Sequence, residues 1–87
     1  MKVVVHPRVI DRRPNITEGD VLAAVENSLR TVPRLATDPL QWAGVGLDVN
    51  GRLLQFVAVE LGGPSDCWLV YHAMPVTEKM LREVGLK

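Results

Sequence analysis

Residues 45–56 read Val45-Gly46-Leu47-Asp48-Val49-Asn50-Gly51-Arg52-Leu53-Leu54-Gln55-Phe56 and place Asn50-Gly51 between two alternating apolar runs. An Asn-Gly pair in this setting is the strongest short-range signal for a β-hairpin with a type I′ turn, in which both central residues adopt positive φ. Such a turn pairs Val49 with Arg52 and Val45 with Phe56. The register predicts a single core-facing set of side chains: Val45, Leu47, Val49, Leu54, Phe56 and Ala58.

The other face of the predicted hairpin carries two glycines, Gly44 and Gly46, at positions i and i+2. Two side chains are therefore missing from neighbouring positions of one strand, which leaves a shallow trough on the sheet. The trough has two interpretations: it gives a helix room to pack closely, or it is a floor on which a ligand lies.

Two helices are indicated by their capping residues. Thr17 is followed three residues later by Asp20, a capping-box pair that predicts a helix from about 18 to 29. Thr77 is placed to cap a last helix, which Gly85 ends.

The remaining segments predict short strands and one short helix. Val3-Val4-Val5 is a β-branched run that Pro7 stops, and residues 6–13 suit two helical turns. A turn at residues 62–65 precedes a strand over residues 66–73. The chain is therefore predicted to be one α+β domain over residues 1–87, with an antiparallel sheet of about four strands and two to three helices packed on one side.

Composition restricts the classes of function. The 87 residues are 47% hydrophobic and 23% charged, values of a globular rather than a disordered chain. Ten Lys and Arg balance ten Asp and Glu, which removes the bulk attraction of a general nucleic-acid binder. Cys67 is the single cysteine, which excludes an internal disulfide and a multi-cysteine zinc site. We expect no metal, no cofactor, no membrane span and a cytoplasmic protein.

Charge is nevertheless unevenly distributed. Residues 1–13 carry four cations, Lys2, Arg8, Arg12 and Arg13, against one Asp, a balance of +3, and residues 14–28 carry three carboxylates and no cation, a balance of −3. The two segments either form surface ion pairs, or the basic one is an anion site.

Two segments of the C-terminal half carry a resemblance to a known family. These are Asn50-Gly51-Arg52-Leu53-Leu54 and Val70-Tyr71-His72-Ala73-Met74-Pro75-Val76-Thr77-Glu78-Lys79. They resemble the end of BrnT-type toxins, the compact branch of the RelE/ParE-like fold, which shows a G-R-L-L strand, a strand ending in I-S-A-R and a helix opened by A-T-x-x-E.

The N-terminal half resembles a related group of small domains, with an early His, basic residues at helical spacing and I-[ST]-x-x-D-V. The matching residues are His6, Arg12, Arg13, Ile16, Thr17, Asp20 and Val21. Together the similarities span most of residues 6–85. They imply a sheet of about four strands and, in many members, an RNA-cleaving toxin that a cognate antitoxin inhibits.

The candidate site residues follow from the chemistry of RNA cleavage, which needs a base, an acid and cations that hold the phosphate. The side chains that can transfer protons are His6, His72 and Tyr71. The cations that can bind phosphate with forked hydrogen bonds are Arg8, Arg12, Arg13 and Arg52. A regular strand would point Tyr71 and His72 to opposite faces of the sheet.

The chain departs from the toxin pattern at His72 and Met74, where the family shows Ser and Arg. The alternative function is therefore a non-catalytic interaction module or inactive relative, which would use Trp42 and Trp68. The toxin would have RNA and a cognate antitoxin as partners, and the protein could also form a homo-oligomer. Catalysis predicts that His6, His72 and at least two of the arginines meet within about 10 Å in a cleft.

Overall fold

A computed structural model describes residues 2–61 and 67–87, and this part of the chain contains five strands and three helices. In chain order they are β1 (Lys2–Val5), α1 (Pro7–Arg12), α2 (Glu18–Glu26), β2 (Ser28–Arg34), β3 (Gln41–Leu47), β4 (Leu53–Leu61), β5 (Cys67–Pro75) and α3 (Glu78–Glu83). The strands form one sheet in the order β1-β5-β4-β3-β2. The α+β class is confirmed, but the purely antiparallel sheet is wrong, because β1 is parallel to β5. The predicted turn at 62–65 and residue 66 lie outside the described residues.

The fifth strand, β2, was not predicted. Among the described residues it pairs with β3 alone, which makes it an edge strand. It includes Pro33, a residue that edge strands tolerate because its missing N–H need not join the ladder. Its residues are largely polar and partly exposed, so the sequence lacks the alternation of apolar and polar residues by which a strand is recognised. Because β2 begins at Ser28, α2 ends at Glu26, three residues before the predicted end.

The helices pack on both faces of the sheet, so the prediction that they share one side is wrong. On one face, α1 and α2 cover a core that includes Val9, Ile16, Val21, Leu54, Phe56, Ala58 and Val70. On the other face, α3 covers a second core that includes Ala43, Val45, Val57, Met80 and Val84. A central strand buried on both sides reads as a continuous apolar run, which the sequence pattern cannot assign to one face.

The predicted hairpin between β3 and β4 is present, but its register is shifted by one residue. Leu47 pairs with Leu53 and Gly44 with Phe56. The turn is longer than the predicted type I′ turn, because Asp48 accepts hydrogen bonds from the backbone N–H groups of Asn50 and Arg52 through its side chain. Only glycines have positive φ among the described residues, so Asn50 does not adopt it. The shift moves Val45 to the face opposite Phe56, and Val49 is exposed, so the predicted single core-facing set is wrong.

The two glycines of β3 accommodate neighbouring parts of the core. An added Cβ on Gly44 would lie 2.3 Å from the Phe56 ring, and one on Gly46 would lie 1.8 Å from the backbone oxygen of Ala24 in α2. Of the two interpretations of the trough, close helix packing is therefore correct for Gly46.

The predicted capping residues are confirmed. Thr17 and Asp20 exchange both hydrogen bonds of a capping box at 3.0 Å. Thr77 caps α3 by accepting from Met80 N–H, and Gly85 follows the helix with φ of +82°. None of the helices in residues 2–61 and 67–87 is long and apolar enough to cross a membrane.

Gly51 supplies a first prediction about stability. Its φ is +78°, where a β-branched side chain is strained, and no atom lies within 4 Å of a Cβ built there. Gly51→Val should therefore destabilise the fold by about 1–2 kcal/mol through the backbone alone, lowering Tm by roughly 5–15 °C. Gly51→Asn is the matched control and should cost less, because Asn tolerates the left-handed region. Equal melting temperatures for the wild type and Gly51→Val would contradict this backbone conformation.

Candidate functional site

A β-bulge in β5 brings two predicted site residues to the same face of the sheet. Val57 pairs with His72 and Ala58 pairs with Val70, so Tyr71 has no partner on β4. The extra residue breaks the alternation of side chains along the strand. Tyr71 packs against the core beneath α3, and His72 lies opposite Val57 of that core. The expectation that a regular strand separates Tyr71 from His72 is therefore not met.

The bulge lies where β5 loses one of its neighbours. β1 pairs only as far as Val70 of β5, and the chain then turns into α1. Beyond Val70, β5 continues to pair with β4 but no longer with β1. Side chains of α1 line a pocket along this part of β5.

Two pockets meet along this part of β5 and share Arg8, Tyr71 and His72. The first, here called the α1 pocket, has a volume of about 280 Å³ and is otherwise lined by Val9, Arg12, Arg13 and Ala73. The second, the α3 pocket, has a volume of about 300 Å³ and is otherwise lined by Arg34, Gln55, Val57, Thr77, Lys79, Met80 and Glu83. We call the two together the cleft.

Five of the seven predicted site residues line the cleft: Arg8, Arg12, Arg13, Tyr71 and His72. His6 is not among the lining residues of either pocket, so the expected meeting of both histidines in one cleft is not observed. His6 is the N-cap of α1, and its Nδ1 accepts a hydrogen bond from Arg8 N–H at 3.1 Å. Arg52 is held at the hairpin turn instead, where its Nε lies 2.8 Å from Oδ2 of Asp48 and its Nη2 3.8 Å from Oδ2 of Asp20.

The cleft also contains polar residues that the sequence analysis missed, namely Arg34, Gln55, Thr77, Lys79 and Glu83. Gln55 was signalled by its position, since it is a polar residue in the middle of an apolar strand, and it is only 6% exposed. Arg34 was hidden because the strand that carries it was not recognised.

A chain of hydrogen bonds orients His72. The Gln55 side-chain oxygen accepts from both the backbone N–H and the hydroxyl of Thr77, each at 2.8 Å. The amide nitrogen of Gln55 is then directed at His72 Nε2, 3.4 Å away. Because an amide NH₂ can only donate, Nε2 is the acceptor nitrogen and the proton of the neutral ring lies on Nδ1.

Burial and positive charge keep this imidazole neutral. Desolvation is the largest cause that lowers the pKa of His72, and the charges of Arg13, Arg34, Arg12 and Arg8 lower it further. At pH 7 the ring is therefore unprotonated at Nε2. A neutral imidazole with a directed lone pair can act as a general base.

The cations of the cleft differ in their partners. Arg34 binds Glu83 with two hydrogen bonds, of 2.7 and 2.9 Å, and these bonds hold the pKa of Glu83 below its usual value. In residues 2–61 and 67–87, no carboxylate forms an ion pair with Arg8, Arg12 or Arg13. These three guanidinium groups are therefore available to an anion.

Charge is concentrated at the cleft although the chain as a whole is neutral. Five of its ten basic residues line the two pockets, and Glu83 is the one acidic residue among the lining. Such a local excess attracts anions in a way that net charge does not report. Within the described part of the chain, no three His, Cys, Asp or Glu side chains are grouped to hold a metal ion.

The two tryptophans lie elsewhere. Trp42 and Trp68 stack on each other with ring centroids 5.4 Å apart, and the Trp42 indole donates to Glu60 at 2.7 Å. Trp68 packs against the core under α1 and α2. Each ring thus already has an aromatic partner within the fold.

Comparison with protein-family models, curated proteins and solved structures gives no match for this chain. The resemblance to BrnT-type toxins therefore stays a sequence-based interpretation.

Gln55→Glu tests the orientation of His72. A carboxylate of the same shape can still accept from Thr77, but it presents an acceptor instead of a donor to Nε2 and favours the protonated ring. We expect the pKa of His72 to rise by about one unit or more, measured by NMR titration of its ring protons. Asn50→Asp places a new carboxylate at the turn between β3 and β4, outside the cleft lining, and is the control. An unchanged His72 pKa in Gln55→Glu would show that the amide does not face the ring.

Proposed function

We propose that this protein is an endoribonuclease that cleaves RNA in the cleft, with His72 as the general base. The observation that carries the proposal is a neutral imidazole with its lone pair on Nε2, beside three arginines without carboxylate partners. The hydrogen-bond contact from Gln55 to Nε2 is long, at 3.4 Å, so a substrate hydroxyl can replace it.

The reaction needs no group beyond these side chains and the RNA itself. His72 Nε2 takes the proton of a ribose 2′-hydroxyl, and the 2′-oxygen forms a bond to the adjacent phosphorus. The bond from phosphorus to the 5′-oxygen breaks, and the Tyr71 hydroxyl supplies the proton that this oxygen takes up. Solvent returns the proton to Tyr71 and removes it from His72. The products are a 2′,3′-cyclic phosphate and a 5′-hydroxyl.

The arginines of the α1 pocket hold the reacting phosphate. A guanidinium presents paired N–H groups that match phosphate oxygens and stabilises the charge that develops on them in the transition state. Arg8 lines both pockets, beside Tyr71 and His72. It is therefore the arginine best placed to contact the phosphate that reacts.

The proposal is tested by incubating the purified protein with a short RNA, with EDTA present, and identifying the ends that form. Strands ending in a cyclic phosphate and strands beginning with a 5′-hydroxyl are the expected products. Growth arrest on expression, relieved by a cognate antitoxin, would extend the proposal to the toxin role that the resemblance implies. A protein that neither cleaves RNA nor arrests growth would instead be the interaction module.

The arginines give a prediction about binding. Changing Arg8, Arg12 and Arg13 together to Ala should weaken binding of single-stranded RNA and reduce the slope of log K against log salt by about 2, as expected for three lost phosphate contacts. Fluorescence anisotropy at several salt concentrations measures both quantities. A triple variant of exposed cations outside the cleft, Lys2, Arg82 and Lys87, is the control of equal charge and should retain the wild-type slope. Equal affinity and slope in the two triple variants would contradict the anion site.

A further inference from the structure

The two pockets of the cleft differ in chemistry. The α1 pocket adds Arg12 and Arg13 to the shared residues and has no acidic lining residue. Both pockets have two apolar lining residues, Val9 and Ala73 in the α1 pocket and Val57 and Met80 in the α3 pocket, but the α3 pocket also carries the carboxylate of Glu83 and the uncharged polar groups of Gln55 and Thr77. A phosphate is therefore favoured in the α1 pocket and opposed by Glu83 in the α3 pocket.

The basic residues of the α3 pocket do not make it a second phosphate site. The Arg34 guanidinium is bound on two nitrogens by Glu83 and on a third by Gln41 at 3.1 Å. Lys79 lies one turn before Glu83 on α3, and its charge adds to the hydrogen bonds from Arg34 in lowering the pKa of that carboxyl group. The polar groups deeper in the pocket, Gln55 and Thr77, carry no charge.

From this division we infer that the α3 pocket is a nucleobase subsite, which receives the base of the nucleotide whose phosphate is bound in the α1 pocket. Tyr71 lines both pockets and offers an aromatic ring to the base. A volume of about 300 Å³ is at the low end for small-molecule sites and suits a single nucleoside. The inference rests on the proposed function, because it assumes that the α1 pocket holds a phosphate of RNA.

The substrate class follows from the position of the base. A base that enters a pocket beside its own phosphate cannot remain stacked and paired in a duplex. The substrate is therefore single-stranded RNA with one unstacked nucleotide at the cleaved bond.

Two methionine methyl groups report on the cleft. Met80 lines the α3 pocket, and Met74, which pairs with Gln55 on β4, has its sulfur 3.9 Å from Nη2 of Arg13 in the α1 pocket. The protein with ¹³C-labelled methionine methyl groups is titrated with ribose 5-phosphate and with uridine and adenosine 3′-monophosphate, followed by NMR. Both nucleotides should shift the Met74 and Met80 signals and bind on the order of tenfold more tightly than ribose 5-phosphate, which should shift Met74 alone.

The outcomes separate the two proposals. If the nucleotides shift only Met74 and bind no more tightly than ribose 5-phosphate, the nucleobase subsite is wrong while the phosphate site stands. If no ligand shifts either signal, the phosphate site fails and the proposed function fails with it.

A variant that fills the α3 pocket supplies a second measurement. Val57→Phe adds a ring at the floor of this pocket and should reduce nucleotide affinity to that of ribose 5-phosphate, whose own affinity stays unchanged. Retained preference for nucleotides in a folded Val57→Phe protein would overturn the subsite. If this variant does not fold, the comparison of Met74 with Met80 in the wild type decides the question alone.

Discussion

His72→Gln is expected to lower RNA cleavage by about 100-fold or more while the circular dichroism spectrum stays that of the wild type. The side-chain oxygen of a glutamine can accept the hydrogen bond that Gln55 now directs at Nε2, so the local contact is kept. An amide cannot take up a proton near neutrality, so the general base is lost. The rate of appearance of cyclic-phosphate ends measures the effect.

His6→Asn is the matched control for this experiment. The His6 ring acts as the N-cap of α1, and Asn is a preferred N-cap residue that accepts the same kind of hydrogen bond. Cleavage by this variant should therefore remain near the wild-type rate. If His72→Gln cleaves as well as the wild type, another residue carries the chemistry, and a loss of cleavage in His6→Asn alone would assign it to His6.

His72 should also affect how the stability of the protein depends on pH. This effect can be measured whether or not the protein cleaves RNA. Its pKa in the folded protein is lowered, mainly by desolvation, from the ordinary value of about 6.5. As the pH falls below about 6.5, the unfolded chain binds a proton before the folded protein does, so the free energy of unfolding decreases. His72→Gln should remove this part of the decrease. An identical pH profile of urea midpoints in both proteins would contradict the buried neutral imidazole.

Local structure could be predicted from the sequence because its causes are local. The Thr17 capping box and the Thr77 cap each depend on a hydrogen bond between residues three apart. The left-handed conformation of Gly85 depends on its missing side chain. None of these features requires knowledge of what the helix packs against.

The register and the faces of the sheet could not be predicted in the same way. The Asn50-Gly51 pair correctly indicates a hairpin, but the Asp48 side chain stabilises a longer turn, and a shift of one residue moves every side chain to the other face. Pro33 argued against a strand, although an edge strand accommodates it.

The candidate site was predictable in its residues but not in its assembly. The basic segment of α1 and the adjacent Tyr71 and His72 were evident from the sequence. Their meeting depends on the bulge at Tyr71 and on the end of β1, both of which are tertiary features. Gln55 enters the site through the pairing of β4 with β5, where it lies opposite Met74, and Arg34 enters it through its hydrogen bonds to Glu83, 49 residues further along the chain.

The largest effect on stability is expected for Gly46→Ala. A Cβ at this position would lie 1.8 Å from the backbone oxygen of Ala24 and 2.7 Å from its backbone carbon. These are atoms of the backbone of α2, which cannot rotate away as a side chain can, so the helix must move off the sheet. The movement would also disturb the hydrogen bond from Leu47 N–H to the Asn27 oxygen, now 3.3 Å long.

We expect Gly46→Ala to cost about 3 kcal/mol or more, at or above the upper end of the usual range for overpacking. That is a large fraction of the stability of a small domain, and urea unfolding followed by circular dichroism measures it. Gly19→Ala in α2 is the matched control, because its Cβ would meet only Thr17 Oγ1 at 3.7 Å. This second change should stabilise the protein by about 0.5–1 kcal/mol, since Ala favours the helix over Gly. Similar stabilities for the two variants would mean that α2 does not lie against Gly46. That result would contradict the close packing of α2 on this face of the sheet.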